Sequence, residues 1–212
     1  MLELGVKTLL AYLLGAVLGS LAMGRIRGVD IREQGSGNAG GTNALRTQGW
    51  KFALGVVVID VGKALLAVGL LPGLSLPLIG IDPSVDRDWL AVACAEAVVV
   101  GHVYPVWYEF RGGKGAATLI GAVAVLAPAA LLPVVLVWLA CVMLTGFVGL
   151  GTMLATATLP VFFALAAPRS PALIVFGIAM AAFVTYTHRA NIERMRAGNE
   201  NRARRLWLLR PR

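Results

Sequence analysis

GAATLIGAVAVLAPAALLPVVLVWLACVMLTGFVGLGTMLATATLPVFFALAAP, residues 115–168, contains no Asp, Glu, Lys, Arg or His in 54 residues. A core helix or strand of a soluble domain is far shorter than this, so the solvent that tolerates the stretch is a lipid bilayer. The rest of the chain agrees, because 58% of its 212 residues are hydrophobic. An apolar segment satisfies its own backbone polar groups inside hydrocarbon by coiling into a helix. The expected class is therefore an all-α integral membrane protein. With no Ser/Pro linker and no low-complexity tract, residues 1–212 read as a single polytopic domain.

Working outward from the uncharged run, residues 8–24 carry no charge, 52–71 are apolar apart from Asp60 and Lys63, and 89–106 are interrupted only by Glu96 and His102. These are three spans, and 170–187 supplies the last. The run between holds two or three more, with Pro128, Pro133, Gly146, Gly149 and Gly151 as candidate boundaries. Charge asymmetry decides the number. Arg25, Arg27, Arg32, Arg46 and Lys51 flank the first polar segment, Arg111 and Lys114 lie in the second, and eight arginines follow from Arg189. The positive-inside rule places all three segments in the cytoplasm. Asp82, Asp86 and Asp88 against Arg87 suit the opposite face. Bringing the second and third segments to one side takes three helices in the run. The expectation is about seven transmembrane helices, some too short to cross an unthinned bilayer, with the N-terminus outside and a basic cytoplasmic tail from about residue 188.

Several function classes drop out on the same reading. Cys94 and Cys141 lie in apolar segments without CxxC or CxxH spacing, so they read as packing residues, and no metal site is expected. The N-terminal apolar stretch resembles a signal peptide but runs directly into the first polar segment, and reads as a retained helix. Trp207, Leu208 and Leu209 among the tail arginines fit a segment lying on anionic lipid, and the net charge of +8 needs no nucleic acid. Asp60 and Lys63, three apart on one helix, read as an intrahelical ion pair. His102 reads as an interfacial residue.

The chemistry-bearing side chains concentrate in three glycine-punctuated segments: GSGNAGGTNALR at 35–46, GHVYPVWYEFRGGKGAAT at 101–118 and HRANIERMRAGNE at 188–200. Flexible backbone combined with cations and amides is the composition of an anion site. Glycines 37, 40 and 41 allow successive backbone amides to turn into one concavity, where Ser36, Asn38, Thr42 and Asn43 add donors. Arg46 adds a planar fork suited to phosphate. The Gly112-Gly113-Lys114-Gly115 loop leads into an apolar helix whose N-terminus carries a partial positive charge. It is not a Walker A loop, since Gly115 rather than Ser or Thr follows Lys114. His188 and Asn191 share a helix face at a spacing of three, followed by Arg194 and Glu200. An anion transporter built on Asp60, Lys63 and cationic loops is a second reading, although the chain shows no convincing internal repeat. A partner-anchoring membrane protein is a third.

The ordered motifs SGN-x-G-x-TN-x-x-R, H-x-x-P with GGKG-x-AT, and H-x-x-NI-x-R-x-x-x-G-x-E, together with Asp60-x-x-Lys63, resemble the bacterial membrane glycerol-3-phosphate acyltransferases that use acyl-phosphate, the PlsY family. The resemblance covers essentially the whole chain. Gly41 stands where Ala is expected, Ala64 where Gly is common and Ala116 where Val is usual, and none of these removes a polar group. What the resemblance implies is acyl transfer from acyl-phosphate to the 1-hydroxyl of glycerol 3-phosphate, giving lysophosphatidic acid and phosphate in the first acylation of phospholipid synthesis. It also implies a site at the cytoplasmic face of the bacterial inner membrane, no cofactor, and supply by a peripheral enzyme that makes acyl-phosphate. By the resemblance and by charge, Ser36, Arg46, Lys114, His188 and Asn191 are expected to be catalytic. Gly37, Asn38, Thr42, Asn43, Gly112, Gly113, Gly115 and Glu200 are expected to bind substrate.

Overall fold

The uncharged stretch expected as one span near the N-terminus is two helices, α1 (Leu2–Gly15) and α2 (Gly19–Arg27), in a computed structural model that describes residues 1–166, 170–204 and 206–209. The last two residues of the uncharged run, Ala167 and Pro168, and Arg205, Arg210 and Arg212 of the tail lie outside the described residues. A broken helix leaves carbonyls and amides without helical partners, and in apolar surroundings each is costly. α4 (Trp50–Gly69) supplies what the break lacks. Lys63 Nζ donates to the carbonyls of Gly15 and Val17, both at 2.8 Å, and Asp60 Oδ1 accepts from the amide of Gly19 at 3.1 Å. The two side chains are buried and 3.0 Å apart. The expected intrahelical ion pair is present and also seals the break between α1 and α2.

These helices belong to a unit spanning residues 1–126, completed by α3 (Gly41–Gln48), α5 (Arg87–Val103) and α6 (Ala116–Leu126). α1 lies along α5 at close range: a Cβ on Gly101 would overlap the Tyr12 carbonyl, and one on Gly15 the Val98 carbonyl. Small residues that let backbones touch are how membrane helices associate where lipid is as apolar as the side chains. α4 packs against α6, where Ala64 faces Gly121. At the N-terminal end of α1, the buried Glu3 carboxylate accepts from Lys7 at 2.6 Å, from Arg87 at 2.8 and 2.9 Å, and from the Asp82 amide at 2.8 Å. That cluster ties the acidic 82–88 loop to the start of the chain. The Asp82 carboxyl is held down at about 2 by the Ser84 hydroxyl and amide, with help from the N-terminal ammonium.

A second unit, residues 127–212, contains α7 (Leu131–Thr145), α8 (Val148–Leu165), α9 (Pro171–Thr187) and α10 (Arg189–Arg196). α8 packs between α7 and α9. Of the candidate boundaries, Pro128 and Gly146 separate helices, while Pro133, Gly149 and Gly151 lie inside them. Gly146 ends α7 in the left-handed conformation, with φ of 78°. The tail folds back on that end. Trp207 Nε1 donates to the Leu144 carbonyl at 3.1 Å, and Arg202 to that of Thr145 at 3.0 Å. The Arg202 guanidinium lies over the rings of Phe147 and Trp207, 4.3 and 4.2 Å from their centroids.

Among the described residues there is no β-strand, and five helical segments are long and apolar enough to cross a bilayer. A sixth is the pair α9 and α10 taken as one span bent by 53°, and α6 is a shorter apolar helix of 11 residues.

Candidate active site

The first polar segment is organised from behind by Asn43. Its side chain is buried and its Nδ2 donates to the carbonyls of Ile31 and Gln34 at 2.9 and 3.0 Å, while Oδ1 accepts from the Ser36 amide at 3.0 Å. All three bonds go to the loop that precedes α3. Gly35 is left-handed at φ 58°, and a Cβ there would overlap Asn43 Oδ1. Ser36 and Thr42 are exposed and Asn38 half-buried. Arg46 is exposed on α3 and forms no ion pair or hydrogen bond with another described residue. The Gly37 amide donates to the Gln34 carbonyl at 3.0 Å, so it closes a turn instead of facing an anion as the composition suggested. A Cβ on Gly41, where Ala is expected, would approach Val57 Cγ2 to 3.1 Å.

The second segment folds back on the helix that delivers it. Gly112 N–H donates to the Val103 carbonyl and Gly113 N–H to that of His102, both at 3.1 Å. These two amides are therefore also unavailable to an anion, against the sequence expectation. Gly115 turns the chain at φ 87° into α6, whose first-turn amides have no helical acceptor. Lys114, half-buried, precedes that turn. His102 is not interfacial but 2% exposed, with Nδ1 2.9 Å from Lys63 Nζ. The Thr118 hydroxyl is fully buried without a hydrogen-bond partner among the described residues.

Two residues that composition did not single out join these segments. Arg32 donates to the carbonyls of Tyr108 and Arg111, both at 3.4 Å, and its guanidinium lies 6.0 Å from the Tyr108 ring centroid. Asp30 holds that guanidinium at 2.7 Å. The Arg32 charge keeps the Asp30 carboxyl below its ordinary range, and Asp30 in turn raises Arg32. Tyr108 packs against Ala39, Leu18 and Leu21. Arg32 counted in the sequence only as an inside-positive charge, and its clamp across 76 residues has no local signal.

The third segment lies in the second unit. His188 stands at the bend between α9 and α10, 5% exposed. Its Nδ1 is 2.8 Å from the Val184 carbonyl, an acceptor only, so Nδ1 carries the hydrogen and Nε2 is the lone-pair nitrogen of the neutral ring. Asn191 follows in the first turn of α10, buried against Gly149, with Nδ2 2.7 Å from Glu200 Oε1. The other oxygen of Glu200 accepts from Arg194 Nε at 2.6 Å. Glu200 thus orients Asn191 and Arg194. Among the described residues, no cluster of His, Cys, Asp and Glu could hold a metal ion.

Residues 6–198 match the sequence model of the family described as glycerol-3-phosphate acyltransferase. The chain is 36% identical to the glycerol-3-phosphate acyltransferase of Chlorobaculum parvum, over 91% of this chain and 93% of that one. It is 40% identical to the protein so named in Symbiobacterium thermophilum, over 95% and 96%. Its structure is similar to the crystal structure of PlsY (YgiH), an integral membrane glycerol 3-phosphate acyltransferase, in the glycerol 3-phosphate form, with a TM-score of 0.80, 32% identity and 94% of each chain covered. The lysophosphatidic acid form of the same protein matches with a TM-score of 0.78.

Proposed function

The chain belongs to the glycerol-3-phosphate acyltransferase family and is an acyltransferase, and we propose that it moves a fatty acyl group from acyl-phosphate to the 1-hydroxyl of glycerol 3-phosphate. Lysophosphatidic acid and inorganic phosphate are the products. The observation that carries this reading is the joining of two phosphate-suited segments by Arg32, with the exposed guanidinium of Arg46 on one and Lys114 at the foot of α6 on the other. Both proposed substrates are phosphorylated, and the crystal forms of PlsY with glycerol 3-phosphate and lysophosphatidic acid support substrate and product.

In the proposed step the glycerol oxygen attacks the acyl carbonyl carbon. An ester C–O bond forms, and the anhydride bond to phosphate breaks with its electron pair leaving on phosphate. Acyl-phosphate is already activated, so orientation and charge stabilisation suffice and no covalent enzyme intermediate is required. Arg46 and Lys114 neutralise the phosphates, Ser36, Asn38 and Thr42 orient them, and Asn43 shapes the loop that carries Ser36. His188 and Asn191 hold the attacking hydroxyl. The hydroxyl proton goes to His188 Nε2, the nitrogen that the Val184 bond leaves as acceptor.

The proposed topology has seven crossings, counting the five long segments, α9 and the short α6, with the N-terminus outside and the three motif segments at the cytoplasmic face of the bacterial inner membrane. A peripheral enzyme producing acyl-phosphate supplies the donor.

The test is product formation by purified protein in lipid, with radiolabelled glycerol 3-phosphate and palmitoyl-phosphate, palmitoyl-CoA or palmitoyl-acyl-carrier protein. Lysophosphatidic acid from palmitoyl-phosphate alone is expected. No product from any donor in folded protein, with phosphate flux in proteoliposomes, overturns the reading in favour of a transporter.

A further inference from the structure

His102 sits where three features meet: the sealed break between α1 and α2, the end of α5 and the glycine loop before Lys114. Lys63 Nζ is fixed on the carbonyls of Gly15 and Val17 and on Asp60 Oδ1, and His102 Nδ1 lies 2.9 Å from the same nitrogen. An ammonium only donates, so a proton on Nδ1 would face it across that distance. The favoured ring is neutral, with Nδ1 accepting and the hydrogen on Nε2. Nδ1 also stands 3.4 Å from Asp60 Oδ1, longer than its contact with Lys63. One edge of the imidazole is thereby anchored to α4.

The opposite edge meets the loop. A Cβ on Gly113 would overlap His102 Nε2 and would come within 3.0 Å of both ring carbons beside it. The Gly113 amide is bonded to the His102 carbonyl, so the same residue holds the loop by backbone and supports it by side chain. Rigid contacts therefore run from the α1–α2 break through Lys63 and the imidazole to Gly113 and its neighbour Lys114.

We propose that His102 is a positioning residue for the loop that carries Lys114, its ring setting, through Gly113, the height at which Lys114 is presented to substrate. This rests on the assignment of Lys114 to phosphate given above. His102 acts through the loop, so its loss appears in the KM for glycerol 3-phosphate more than in the fold. Truncating it leaves Lys63 with three oxygen acceptors, at 2.8, 2.8 and 3.0 Å.

The test is a double-mutant cycle on the full chain in lipid. Gly113→Ala alone is expected to raise KM by about 10- to 100-fold and His102→Ala alone by about tenfold, whereas the double variant is no worse than His102→Ala, because removing the ring makes room for the methyl group. Gly112→Ala is the control. Its methyl would overlap the His102 carbonyl, which His102→Ala keeps, so no recovery is expected there. Multiplying effects at 102 and 113, or equal recovery of Gly112→Ala, overturn the proposal. Should a variant fail to fold, the wild-type chain with 15N-labelled histidine is titrated with inorganic phosphate. An Nε2–H signature for His102 that shifts on binding supports the proposal, and an Nδ1–H signature or an unmoved resonance at saturation overturns it. Absence of any acyl transfer by the wild type would instead count against the reaction, and the titration would still read the loop.

Discussion

Replacing Lys63 by Met removes the one group that satisfies four others. The Gly15 and Val17 carbonyls and His102 Nδ1 lose their donor, and Asp60, whose side chain is 1% exposed, loses its counter-ion. The methionine fills most of the volume, so the cost is electrostatic. Removing one partner of a buried pair is worth about 3–5 kcal/mol, because the remaining charge stays uncompensated. At about 2–4 °C per kcal/mol for a chain of this size, the melting temperature should fall by about 6–20 °C. Asp60→Asn in the same chain takes away the stranded charge yet keeps an oxygen for the Gly19 amide. It should recover roughly half of the loss. Lys51→Met serves as control, since Lys51 is exposed with its ammonium 5.7 Å from the Trp50 ring centroid, and is expected to be within about 0.5 kcal/mol of wild type. Intrinsic tryptophan fluorescence during heating in lipid nanodiscs reads all four chains. A Lys63→Met protein melting within about 2 °C of wild type, or a double variant below the single one, would refute the account of the sealed break.

Three further outcomes concern the reaction. Glu200→Gln cannot accept from Asn191 and Arg194 together, and kcat/KM should drop about 10- to 100-fold with little change in melting temperature; an unchanged value would show that neither partner needs the carboxylate. With His188→Gln, kcat should fall by about 10²- to 10⁴-fold and the acid limb of the pH–rate profile should disappear. Retention of most of kcat would hand the proton to a phosphate oxygen of the donor instead. Activity should be unaffected by EDTA, since Arg46 and Lys114 are assigned the phosphates, and a chelator-dependent loss restored by a divalent ion would sink that assignment.

The bilayer was readable in residues 115–168 because long absence of charge has one physical meaning. The break between α1 and α2 was not, since residues 8–24 are uniformly uncharged and the groups that seal it come from Lys63, 46 and 48 residues away. Glycine-rich composition showed that the loops could bend, but not which way their amides would turn. Gly37 turns its amide to the Gln34 carbonyl just before its segment, and Gly112 and Gly113 turn theirs to carbonyls of their own segment. His102 was misplaced for a related reason: a histidine at a helix end usually meets water, but this one has a lysine behind it and a glycine in front.

The charges themselves sort by what surrounds them. Glu3 with Lys7 and Arg87, Asp60 with Lys63, and Glu200 with Arg194 each pair a carboxylate with its own cation. For Asp60 and Lys63, buried on both sides, an unpaired ion costs several kcal/mol, and there pairing is what the fold must do before anything else. Arg46 departs from that pattern. It lies on a helix held by the buried Asn43, exposed, without an acidic partner among the described residues, whereas Arg32 of the preceding loop is paired with Asp30. A guanidinium presented this way attracts an anion from solution, and for Arg46→Lys the proposed phosphate role requires a higher KM for glycerol 3-phosphate, since lysine keeps the charge but loses the two-pronged fork.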